Sequence, residues 1–191
     1  MVKPVELEKG SSYLLIDNFA IPVNAYTDYI KPYIEHGVPA RIVSGMCPEK
    51  LKKDVFKNVD LKRVDFKWWS ELARNIDANT TKNLNLLKPE PEHLTAALSN
   101  EPPSGWGLEN MPKKADSGLY LKVFDGLENA VHYEDTEMFN KYLRVIKNIA
   151  DTTATGKSVF IVIIQKDAFD REKLAFLGRN GLEPIVCYHQ Q

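Results

Sequence analysis

Short, dense apolar runs alternate along this chain with segments whose apolar residues recur every three or four positions. Ser11–Asp17 (SSYLLID), Ala40–Met46 (ARIVSGM), Leu119–Gly126 (LYLKVFDG) and Ser158–Ile164 (SVFIVII) are runs of the first kind and predict buried strands. The last is the most hydrophobic, as expected at the centre of a sheet covered on both faces. Lys62–Ser70 (KRVDFKWWS) alternates Val64, Phe66 and Trp68 with polar residues and predicts another strand. Glu183–His189 (EPIVCYH) predicts a final strand, placed at an edge by Pro184.

The intervening segments have the helical period. Tyr26, Tyr29, Ile30, Tyr33 and Ile34 share one face after the first strand. Pro22 suits the first turn there, Gly37 suits a C-terminal cap, and Pro32 should kink or divide the helix. Leu51 and Val55 should face inward from a short helix opened by Pro48, and Pro91 opens another. In Leu127–Thr152, Phe139, Leu143, Ile146 and Ile149 form one stripe, with Asp135 or Thr136 as the cap. A last helix closes at Gly181. Strands alternating with helices predict a three-layer α/β/α domain with a mostly parallel central sheet, its core over about residues 11–189. Glu101–Gly118 is rich in proline and glycine, has no periodicity, and predicts a long exposed loop. Trp106, between Gly105 and Gly107, is the aromatic this loop would offer to its own domain or to a protein partner.

Composition narrows the function classes. A chain of 191 residues can bury a substantial single core, and its formal net charge of −1 gives no field that would gather nucleic acid. The lysines between Lys50 and Lys67 are interrupted by Asp54, Asp60 and Asp65, so they predict a solvated face and nucleic acid is not the expected partner. Cys47 and Cys187 have no partners at metal-ligand spacing, and His36, His93 and His189 are scattered. The amino terminus lacks the apolar core of a signal peptide, and the longest apolar run is too short to span a bilayer, so a cytoplasmic location is expected.

Gly156-Lys157-Ser158 invites comparison with a phosphate-binding loop. Such a loop needs a further glycine five residues earlier, where this chain has Asp151, an acid in the place of the anion. It also leaves a strand and opens a helix, whereas here a helical segment precedes the tripeptide and a strand follows. The tripeptide therefore predicts a helix stop, with Lys157 near the negative end of the dipole. The segment after the first strand (LLIDNFAIPVNAY) has neither glycine nor lysine, so no nucleotide cofactor is expected. The remaining candidate chemistry is acidic. Asp125 ends an apolar strand, as does the magnesium-positioning acid of phosphate-loop ATPases, and Asp17 ends the first strand. Glu128 and His132 follow Asp125 at spacings of three and four, so a helix starting at Gly126 would gather the three into a cluster suited to a divalent metal. The competing reading has these acids stabilising a turn and a helix start.

From Ser12 to Asn180 the pieces GSSYLLID, IEHGVPARIVSGMCPEKLKK, FKWWS, PEPEHLTAAL, VFDGLENAV and SVFIVIIQKDAFDREKLAFL, in this order, resemble the archaeal family of domains of unknown function numbered 835. The resemblance implies a RecA/KaiC-like core that has lost its phosphate loop, found beside sensory modules and without established catalysis. It thereby implies a regulatory or protein-interaction role with a protein partner, and the sequence leaves a homo-oligomer open. A nucleotide- or metal-binding enzyme built on Asp125, and a nucleic-acid accessory protein, are the alternatives. The chain departs from the family at Gly45, where an arginine is frequent, and at Glu71, where a basic residue is. Both departures weaken an anion-gripping role.

Overall fold

The protein is described by a computed structural model over residues 6–18, 22–69, 90–98, 118–131 and 134–187. Six strands form one sheet: β1 (Ser12–Asp17), β2 (Ala40–Ser44), β3 (Val64–Trp68), β4 (Tyr120–Asp125), β5 (Ser158–Gln165) and β6 (Glu183–Cys187). Their order is β3-β2-β4-β5-β1-β6, and every pairing is parallel. The strand of seven consecutive apolar residues or serine, β5, is interior, and β6 with its proline is an edge, as the pattern requires.

Alternation along the strands divides the core into two layers. On the first face Tyr13, Leu15, Ile42, Val123 and Ile161 meet Tyr26, Ile30, Ile34, Leu51 and Val55. These come from a helical stretch after β1 and from α3 (Pro48–Asp54) with Val55 at its C-terminal cap. On the second face Leu14, Val43, Phe124, Phe160 and Val162 meet α4 (Pro91–Leu98), α5 (Leu127–Ala130), α6 (Thr136–Ala154) and α7 (Arg171–Arg179). The architecture is three-layer α/β. The described helices between β1 and β2 and between β2 and β3 lie on the first face, and those between β3 and β4, β4 and β5, and β5 and β6 lie on the second. A right-handed connection must change face when it changes direction along a sheet. Arg41, buried on the second face, donates from Nε to Asp65 at 3.0 Å and from a guanidinium nitrogen to the Ala97 carbonyl at 3.0 Å, fastening α4 to the sheet.

Two expectations about helices are refined. The stretch after β1 is α1 (Val23–Ala25), a π-helical turn over Tyr26–Ile30, and α2 (Lys31–Glu35). Pro32 lacks an N–H and its ring would meet the carbonyl four residues back, so the chain widens ahead of it rather than breaking. Gly37 follows with φ 81°, the left-handed stop that glycine favours. The segment after Gly126 is two helices: α5 ends at Ala130 and Val131 is extended (φ −122°, ψ 122°) before Asp135 caps α6 through the Met138 amide at 2.9 Å. A helix from Gly126 therefore does not run to position 132, and the spacing argument that joined His132 to Asp125 and Glu128 fails. The Gly156-Lys157-Ser158 tripeptide lies between the end of α6 at Ala154 and the start of β5 at Ser158, so a helix does stop there.

Candidate functional site

Parallel strands bring their carboxyl ends to one edge of the sheet, where the diverging crossovers leave room for a site. Here that edge carries Asp17 (β1), Ser44 (β2), Asp125 (β4) and Gln165 (β5). Each follows the alternation of its strand onto the first face, beneath the helical stretch after β1. Ser70, His132, Trp106 and His189 lie outside the described residues, as does most of the 101–118 segment.

Asp125 is buried, and its carboxylate is enclosed by donors. Oδ1 accepts from Ser44 Oγ at 2.7 Å and from the Gly45 amide at 2.9 Å, while Oδ2 accepts from the Tyr26 hydroxyl. Ser44 Oγ in turn accepts from the Met46 amide at 3.0 Å, which fixes the direction of its proton. A carboxylate has about four acceptor positions, and three are filled by the protein's own groups. Burial pushes the Asp125 pKa up, and the bonds from Tyr26, Ser44 and Gly45 oppose that rise. Tyr26 is raised well above the usual phenol range, first by burial and then by the Asp125 charge, so it remains a donor throughout the physiological range.

Asp17 is also fully buried. Its Oδ2 accepts from the Ala25 amide at 2.8 Å and its Oδ1 from Asn24 Nδ2 at 3.3 Å. An amide in the first turn after β1 is a group that a phosphate site turns toward its ligand. Here it faces the protein's own acid. Because β5 separates β1 from β4, with Asp17 opposite Gln165 and Asp125 opposite Ile163, the two acids stand roughly 12 Å apart at the backbone and do not converge on one ion. The same three residues, Asn24 to Tyr26, cover both acids. No group of three or more His, Cys, Asp or Glu suited to a metal occurs among the described residues.

The turns after β2 and β4 touch backbone to backbone. A Cβ on Gly126 would lie 2.9 Å from both Cα and N of Gly45, and Gly126 has φ 116°. A Cβ on Gly45 would lie 3.1 Å from Gly126 Cα and 2.5 Å from Asn129 Nδ2. Gly45 is thus explained by packing: a side chain at the position where the resembled family often has arginine would push the β2 and β4 turns apart.

Glu128, in the single turn of α5, differs from both aspartates. Its Oε2 is buried without a hydrogen-bond partner among the described residues. Burial is the main cause that lifts its pKa to about 7, the Asp125 charge adds to it, and the backbone amides of Glu128 and Gln165 oppose it. Glu128 lies beside a groove of about 1010 Å³ on the second face, formed with Val131, Phe169, Leu174, Lys166 and Arg171. The Lys166 amide donates to the Asp17 carbonyl at 2.8 Å, joining this groove to the β1 edge. Three of the acids singled out in the sequence therefore occupy one edge, two sealed on the first face and one partly buried beside the groove.

Tyr26 and the loop carrying Phe169 are the contributors that the pattern of the chain does not announce. A hydroxyl on an otherwise apolar stripe, following a strand that ends in an acid, is the signal that Tyr26 offers. No protein-family model matches the chain, and no curated protein matches it. No helix among the described residues is long and apolar enough to cross a membrane.

Proposed function

We propose that this is a non-catalytic regulatory or protein-interaction domain, built on a RecA/KaiC-like core whose nucleotide cleft has been filled by the protein itself. One observation carries the reading: the acid at the end of β4, which an ATPase of this kind would turn to magnesium, is bonded to Tyr26, Ser44 and Gly45. Asp17 and the Ala25 amide close the neighbouring turn in the same way. The resemblance to the archaeal family numbered 835 agrees with this and supplies the expectation of a protein partner. Isothermal calorimetry with ATP and magnesium tests it. The expected result is no saturable heat, and a dissociation constant near micromolar, about −8 kcal/mol, would overturn it.

The groove beside Glu128 favours a second reading, in which the edge binds a small molecule. A carboxyl that titrates near neutrality, at the rim of a groove at the carboxyl ends of parallel strands, is the kind of group binding sites employ. Saturable binding that is lost in Glu128→Gln would favour this reading over the first.

A further inference from the structure

The outer edge of β3 has a sequence that complements itself. Among the described residues β3 pairs only with β2, and none of them forms a ladder on its other side. The Ala40 amide donates to the Arg63 carbonyl at 3.0 Å, which turns the backbone groups of Arg63 toward β2. Alternation then turns those of Asp65 and Lys67 the same way, and those of Phe66 and Trp68 outward. Unpaired edges are usually shielded by a bulge, a proline, short length or charge, and β3 has the last two, in its five residues with Asp65 and Lys67. Val-Asp-Phe-Lys-Trp has no bulge and no proline, and Val64, Phe66 and Trp68 are only half-buried. They stand beside a groove of about 440 Å³ that Leu61 and Lys52 also line.

We propose that β3 pairs antiparallel with β3 of a second copy about a two-fold axis through Phe66, making one continuous twelve-stranded sheet. Such an axis sets Phe66 opposite the partner's Phe66 as a hydrogen-bonded pair, because its N–H and C=O both point outward. It sets Val64 opposite the partner's Trp68 on the first face. On the second face it sets Asp65 opposite the partner's Lys67, and Lys67 opposite the partner's Asp65. Directly opposed residues have Cβ atoms about 5 Å apart, so both charge pairs are within reach, and a shift by one residue would lose this pairing. Asp65 already holds Arg41 at 3.0 Å and its own Lys67 at 3.5 Å, so the partner's lysine joins an existing network. Five residues a side make a small interface, which sets the dissociation constant at roughly micromolar or weaker. The inference is independent of how the Asp125 edge is read.

Sedimentation velocity of the full chain, from low to high micromolar concentration, should show a reversible monomer–dimer equilibrium. Lys67→Glu puts acids opposite acids and should weaken it about tenfold or more. In the unsubstituted chain, hydrogen exchange at the Phe66 and Trp68 amides should slow as concentration rises, a readout that does not depend on any variant folding. A monomer across the whole range, a dimer indifferent to Lys67→Glu, or exchange at these two amides independent of concentration would each overturn the proposal.

Discussion

Asp125 and Glu128 are three residues apart and share a sheet edge, yet the protein treats them oppositely. Asp125 points to the first face, where Tyr26, Ser44 and the Gly45 amide meet it. Glu128 lies beside the groove formed with Val131 and Phe169, and its Oε2 is buried with no donor among the described residues. Both have raised pKa values with burial as the main cause, so burial alone does not separate their roles. Hydrogen bonding does. An enclosed carboxylate holds turns together, whereas one with a buried oxygen left unpaired costs stability, and such groups are frequent where a ligand or a proton is useful. On the proposed reading the Asp125 side of this edge serves the fold, and a ligand would be sought in the groove beside Glu128.

The largest effect should come from the contact that positions Asp125. Gly126→Ala adds a Cβ 2.9 Å from the Gly45 backbone at a φ of 116°. It should destabilise the protein by about 2–4 kcal/mol in urea denaturation. A loss within experimental error would mean that the β2 and β4 turns are not held in contact, and the enclosure of Asp125 would lose its basis.

Glu128→Gln should act in the opposite direction. The folded-state pKa of Glu128 is about 7 against 4.5 for the free group. The stability it contributes as the neutral acid is fully present below the lower value and is lost as pH rises through the upper one. Removing the charge should therefore stabilise the protein at pH 8 by on the order of 2–3 kcal/mol and flatten the fall in stability between the two values. Urea midpoints across that range decide it. A destabilised variant at pH 8 would show that the carboxylate is satisfied, and the contrast with Asp125 would fail.

Legibility in the sequence followed the same division. Apolar runs marked β1, β2, β4 and β5, because a strand covered on both faces needs a continuous run and β5 supplies the clearest one, while alternation marked β3 and a short segment with Pro184 marked β6. Pro184 marked an edge and Pro32 an irregular helix, because a missing N–H acts locally. Asp17 and Asp125 were readable as strand ends, but their partners were not. Tyr26 reaches Asp125 across 99 residues of chain and belongs by spacing to the core stripe with Tyr29 and Ile30. Only the order of strands brings its hydroxyl to β4. The cap at Asp135 was legible, but the stop after Ala130 was not, because Leu127 and Ala130 continue the apolar content of α6 although Val131 leaves the helix. Gly45 read as a departure from the resembled family, and its reason, the backbone of Gly126, lies on another strand's turn.

A double-mutant cycle on Tyr26 and Asp125 tests the central claim most directly. Stability would be measured for the unsubstituted protein, Tyr26→Phe, Asp125→Asn and the double variant, each with and without magnesium. If the acid serves the fold, each single substitution costs about 1–2 kcal/mol and the pair couples by about 1 kcal/mol or more, unchanged by the ion. Additive losses, or a stability that rises with magnesium only while Asp125 is present, would contradict it and return that acid to the role of a metal ligand.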